Sequence, residues 1–140
     1  MSTLERAIEI AAAAHAGQVD KADQPYILHP IKVMLRVSGE PERIAAVLHD
    51  VVEDTNVSME QLAEEGFSQE ILVAVEALTK RPGETRMAAA QRAVANPIAR
   101  MVKLADNAEN MDLSRIKNPS EKDFARLKEY EAVRALLLAG

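Results

Sequence analysis

At 140 residues the chain is long enough for one domain with a true core and too short for separate catalytic and regulatory modules. Seventeen Lys and Arg against 22 Asp and Glu leave a net charge of −5, which argues against a broad nucleic-acid surface or an anionic membrane as partner and permits a local basic pocket. With no cysteine, disulfides, thiolate zinc sites and a cysteine nucleophile are excluded, so any metal must be held by imidazole and carboxylate.

The chain opens with Met1-Ser2-Thr3-Leu4-Glu5-Arg6, which lacks a basic region followed by an apolar stretch. No apolar run approaches the roughly 18 residues that span a bilayer, so a cytoplasmic protein is expected. Five glycines and six prolines punctuate an alanine-rich sequence poor in β-branched alternation. That pattern predicts an all-α fold, a single-domain helical bundle of about seven to eight helices over residues 1–140.

Ser2 and Glu5 fit a capping box for a first helix ending near Gly17, with Leu4, Ala7, Ile8, Ala11 and Ala12 as its apolar stripe. A loop with Asp20, Asp23 and Pro25 follows, and a second helix is expected from about Pro30 to Gly39. Pro41 opens a third, whose Ile44, Leu48, Val51 and Val52 have the spacing of a buried face. Ser58 with Gln61 caps a short helix ending at Gly66, and Ser68 starts a fifth with Ile71, Leu72, Val75 and Leu78 inward. Lys80-Arg81-Pro82-Gly83 is a turn, residues 86–96 form a sixth helix, and Pro97 suits the first turn of a seventh. Ser120 and Asp123 cap a final helix carrying Phe124, Leu127, Tyr130 and Val133. Its tail, residues 132–139, is apolar enough either to close the core or to meet a second copy, making a homo-oligomer through this helix one of two readings.

His49 and Asp50 stand on the third helix with Glu53 and Asp54 one turn on, so His49 is expected to stack over Glu53 and Asp50 over Asp54. Acidic groups at a helix C-terminus oppose the macrodipole, which makes the cluster a poor stability choice and a better functional one. His29 precedes Pro30 at the mouth of the second helix, where a histidine serves as ligand, cap or core residue. On the seventh helix Asp106 and Asn110 set a carboxylate and an amide one turn apart, and Asp106 can also simply pair with Lys103.

Four ordered blocks carry a resemblance to a known family. They are Ala14-His15-Ala16-Gly17-Gln18, then Pro25-Tyr26-Ile27-Leu28-His29-Pro30, then Leu48-His49-Asp50-Val51-Val52-Glu53-Asp54-Thr55, then Lys103-Leu104-Ala105-Asp106 with Asn110-Met111. Together they resemble the HD-domain metal-dependent phosphohydrolases, and among these the hydrolase half of the Rel/SpoT alarmone enzymes in its small stand-alone form. The resemblance implies the HD-domain fold and makes His29, His49, Asp50 and Asp106 ligands of one divalent ion, with Mn2+ the family expectation. It makes Glu53 and Asp54 the catalytic acid pair, and Lys21, Lys80 and Asn110 contacts to a small-molecule nucleotide. His15 is expected to be a structural, hydrogen-bonding histidine. The implied reaction removes the 3′ pyrophosphate of guanosine tetra- or pentaphosphate by attack of metal-activated water.

Three positions depart from the long relatives: Asp20 stands where an arginine is common, and Glu109 and Asp112 where His and Arg flank the Asn-Met pair. Each makes the surroundings of an anionic substrate more negative unless Lys21, Lys103 or Arg115 compensate. They motivate a second reading, an HD phosphohydrolase acting on another phosphorylated nucleotide or dinucleotide. A third reading, a nucleotide-binding sensor without turnover, is opposed by the presence of both Glu53 and Asp54.

Overall fold

The computed structural model describes residues 2–112, Ile116 and residues 118–139. Among them lie nine helical segments and no strand, only an isolated bridge between Val19 and Pro25. The segments are α1 (Leu4–Ala14), α2 (Leu28–Leu35), α3 (Glu40–Leu48), α4 (Val51–Asp54), α5 (Met59–Glu64), α6 (Gln69–Leu78), α7 (Arg86–Val94), α8 (Pro97–Asn110) and α9 (Glu121–Ala139). Arg115 lies outside the described residues.

Helix α3 is the axis of the bundle. Ile44, Ala45, Ala46, Val47 and Leu48 are all buried, which is the behaviour of a helix apolar on every side. It packs against α1, α2, α6 and α8. The close approach of α1 is possible because its inward residues, Ala7 and Ala11, are small and fully buried. Gly39, at φ 88°, turns the chain from α2 into α3, and an added Cβ there would lie 2.8 Å from the Glu42 carboxylate. Val133 and Leu137 of α9 are buried in a smaller cluster with Ala90 and are flanked by Val94, Leu104 and Leu136. Arg100 ties the end of that helix down by donating from Nε to the Leu137 carbonyl at 2.7 Å. Val133 and Leu137 of this tail close a core, while Leu138 stays exposed. No helix among the described residues is long and apolar enough to cross a membrane.

Caps fall at Ser58 with Gln61, at Ser68, at Asn96 ahead of Pro97, and at Ser120 with Asp123. Three expectations are corrected. Thr3, not Ser2, caps α1, because the Thr3 hydroxyl accepts the Arg6 N–H while the Ser2 N–H is committed to the Gly66 carbonyl. Helix α2 starts at Leu28, since the Leu28 and His29 amides already bond back to Pro25 and Tyr26; His29 therefore sits inside the first turn. The third helix is not continuous. The His49 N–H reaches only to Ala46, three residues back, and Asp50, at φ −103° and ψ −2°, separates α3 from α4. Counting α4 as part of α3 returns the eight helices of the sequence reading.

Candidate functional site

The break after Leu48 decides the site. It leaves Asp50 a turn below Asp54, closed by the Asp54 N–H to the Asp50 carbonyl at 2.9 Å. His49, instead of standing over Glu53, turns toward His29 and Asp106. His29 Nε2 lies 2.8 Å from Asp106 Oδ1, His49 Nε2 lies 3.3 Å from that same oxygen, and His49 Nε2 lies 3.0 Å from Asp50 Oδ2. His29, His49 and Asp106, from α2, the α3–α4 break and α8, thus bring ligand atoms within 4.8 Å of one another, all three buried, and Asp50 adjoins them through His49.

Their orientation is held from behind. The Tyr26 hydroxyl donates to Asp50 Oδ2, and Asn110 Nδ2 donates to Asp106 Oδ1 at 3.3 Å. Lys103 stands 3.6 Å from Asp106 Oδ2, so the simple ion pair exists beside the cluster and does not replace it. His49 Nδ1 donates to the Ala46 carbonyl at 2.5 Å, which turns Nε2 toward the carboxylates. That Nε2 is buried and makes no aligned hydrogen bond despite its two acidic neighbours. A buried ring nitrogen of this kind, facing two carboxylates and a second imidazole, fits a divalent cation.

Burial works against charge on His49, but Asp50 and Asp106 outweigh it and hold the imidazole well above its ordinary range. Burial would raise Asp106; the charge of His49 beside it, the hydrogen bond from His29 and the charge of Lys103 instead bring it well below the usual carboxylate value. Asp50 is lowered in the same way, chiefly by His49 against its burial. Asp54 moves the other way, raised by partial burial and then by Asp50 and Glu53. Tyr26 is raised by burial and by Asp50, so it remains a donor.

Asp50, Glu53 and Asp54 form a second group whose carboxylate oxygens lie within 4.8 Å of one another. Glu53 Oε1 accepts the backbone N–H of Lys80 at 2.6 Å. The end of α4 is fixed by Gln18, whose Nε2 donates to the Asp54 carbonyl at 3.2 Å while its Oε1 lies 2.8 Å from His15 Nδ1. His15 is thus a buried hydrogen-bonding residue away from the cluster.

A cavity of about 940 Å³ opens over these groups, and Lys21, His29, His49, Asp50, Glu53, Asp54, Lys80, Asp106 and Asn110 all line it. Lys21, 53% exposed, stands 3.6 Å from Asp123 at the start of α9. Three further contributions were missed by the sequence reading. Tyr26, in the same sequence block as His29, holds Asp50 through its hydroxyl. Arg86 stacks 4.8 Å over the Tyr130 ring and pairs with Glu129. One face of α9 supplies Asp123, Arg126, Tyr130 and Val133, whose helical spacing is the signal that could have found it. Among the departures, Asp20 lines the cavity, but its Oδ1 accepts the N–H groups of Ala22 and Gln24 at 2.8 and 3.0 Å and shapes the loop. Glu109 does not line the cavity and is paired with Arg36 at 2.6 Å, so it adds no bare charge there.

The class is therefore an all-helical domain built around a histidine, a His-Asp pair and a distant aspartate. The HD domain matches residues 7–140, and the chain belongs to that family. It is 34% identical over 98% of its length to a Mycobacterium leprae protein named "Probable GTP pyrophosphokinase", spanning 19% of that protein. It is 43% identical over 54% of its length to the guanosine-3′,5′-bis(diphosphate) 3′-pyrophosphohydrolase of Borreliella burgdorferi, spanning 12% of it. The chain thus spans less than a fifth of the length of either relative. A solved structure described as a metazoan ortholog of SpoT that hydrolyzes ppGpp and plays a role in starvation responses shares the fold. Its TM-score is 0.80 at 23% identity, covering 100% of this chain and 87% of that one.

Proposed function

We propose that the chain is a divalent-metal-dependent phosphohydrolase that removes the 3′ pyrophosphate from guanosine tetra- and pentaphosphate. The observation that carries the proposal is the convergence of His29, His49 and Asp106, with Asp50 beside His49, in the lining of a cavity large enough for a nucleotide. These four would hold the ion, and their mix of two imidazoles and two carboxylates suits manganese. When bound, such an ion supplies Lewis-acid polarisation of a phosphoryl oxygen and acidifies water to a usable nucleophile.

The remaining chemistry belongs to the chain's own residues. Glu53 keeps one oxygen on the Lys80 N–H and has its other oxygen for the proton of the attacking water. Asp54, whose carboxyl is raised, is fitted to carry a proton to the oxygen that leaves when the ribose–phosphate bond opens. Lys21 and Lys80 bring positive charge to the polyphosphate, and Asn110 braces Asp106 beside it. The names borne by the Borreliella and metazoan relatives support guanosine tetraphosphate as the substrate class.

A second reading keeps the metal chemistry and changes the nucleotide, for example to the 2′ phosphate of a dinucleotide. It is favoured by Asp20, which puts a carboxylate on the cavity wall. The test of both is purified protein with manganese, offered a panel of nucleotides. Pyrophosphate release from 3′-diphosphorylated guanosine, abolished by chelator, is expected; release of phosphate or pyrophosphate from other nucleotides alone selects the second reading, and release of neither from any removes both.

A further inference from the structure

Neither Arg92 nor Glu84 lines the cavity, yet they form the most elaborate polar contact outside it. Arg92, on the last turn of α7, grips the Glu84 carboxylate with two parallel bonds, Nε to Oε2 at 2.7 Å and Nη2 to Oε1 at 2.8 Å. The same guanidinium donates from Nη2 to the Thr79 carbonyl at 2.8 Å and from Nη1 to the Ala77 carbonyl at 3.4 Å. Glu84 also accepts the Arg81 N–H at 2.9 Å, so the connection between α6 and α7 is closed around one side chain.

The Thr79 carbonyl and the Lys80 N–H belong to one peptide unit. That unit is planar and trans, so its carbonyl and its N–H point in opposite directions and turn only together. Arg92 holds the oxygen on one side, and on the other the N–H is delivered to Glu53 Oε1 at 2.6 Å. Hydrogen bonds at the two ends of a peptide also strengthen each other, by about 10–30%. We infer that Arg92, oriented by Glu84, is a positioning residue for Glu53, acting through the single peptide unit that joins Thr79 to Lys80. This rests on the proposed role of Glu53 as the group that takes the proton of water. If Arg92 were a staple for the connection and nothing more, its loss would not depend on whether Glu53 is present.

The experiment has two arms that fail separately. In metal-free, 15N-labelled protein, Arg92→Met is expected to move the Lys80 amide proton upfield and to speed its exchange by about tenfold, as Glu53→Gln does. Amides of α6 up to Ala77 should stay as in the wild type. With manganese and whichever nucleotide the wild type hydrolyses, Arg92→Met should lower kcat by about tenfold to a hundredfold, with KM and metal affinity within about twofold. Added to Glu53→Gln, it should cost nothing more. Glu84→Gln, which keeps the side-chain shape, should act in the same direction and less, and carries the test if Arg92→Met does not fold. An unmoved Lys80 amide, or an equal loss of kcat with and without Glu53, would overturn the inference. A wild type that hydrolyses no nucleotide would remove the proposed function, while the amide measurement still decides whether Arg92 positions Glu53.

Discussion

Asp106→Asn changes one atom at the centre of the cluster and is the most revealing substitution. The Asp106 carboxylate takes contacts from His29 at 2.8 Å and from His49 and Asn110 at 3.3 Å, and Lys103 faces its other oxygen. Hydrogen bonds to a charged group contribute about 1.5–3 kcal/mol, so the chelated variant should be weaker by about that much. For a domain of this size that is about 5–9 °C in Tm, at about 3 °C per kcal/mol. Manganese at about a hundred times its Kd should stabilise the wild type by about 2.7 kcal/mol, or about 8 °C. The variant should gain much less, because an amide offers no charge to the ion. Differential scanning calorimetry with chelator and with manganese reads both quantities. A variant that keeps the full manganese increment would refute Asp106 as a ligand, and one as stable as wild type in chelator would refute the account of its contacts.

Other consequences separate the roles around the cluster. Asp50→Ala should lose both bound metal and turnover, whereas Glu53→Ala should keep metal in calorimetry and lose about 10²–10⁴ in kcat; an active, metal-free Asp50→Ala protein would contradict the assignment. Tyr26→Phe removes the donor to Asp50 and should weaken metal binding by about 10–100-fold, with unchanged affinity counting against Tyr26 as a brace. The Arg92 hydrogen bonds depress Glu84 to about 2, so this carboxylate stabilises the fold fully above its unfolded value near 4.5 and loses that contribution as pH falls toward 2. Melting of wild type and Glu84→Gln should therefore converge between pH 5 and pH 2.5, and a constant gap across that range would contradict the pairing.

Much of this architecture was legible because local chemistry dictates it. Ser58 with Gln61, Pro97 behind Asn96, and Ser120 with Asp123 set helix starts through contacts between residues close in sequence. What could not be read depends on residues far apart. The interruption at His49 and Asp50 falls within a stretch of good helix periodicity, and what accompanies it is contact of His49 with Asp106 on α8. Asn110, expected to face a nucleotide, donates to Asp106, and Lys80 contributes its backbone to Glu53 besides a side chain to the cavity. Glu109 was expected to repel substrate, yet Arg36, on the residue that follows α2, neutralises it. The α9 wall of the cavity shows locally only as helical spacing, and its polar residues read as one exposed helix face until α7 and α8 are packed against it.

The central claim is that two imidazoles and two carboxylates share one divalent ion. Crystals of the protein grown with manganese, measured at wavelengths where manganese scatters anomalously, test it most directly. The account predicts one strong peak within coordination distance of His29 Nε2, His49 Nε2, Asp50 and Asp106. A peak held by Glu53 and Asp54 with those four side chains empty, or no peak at saturating manganese, would contradict it.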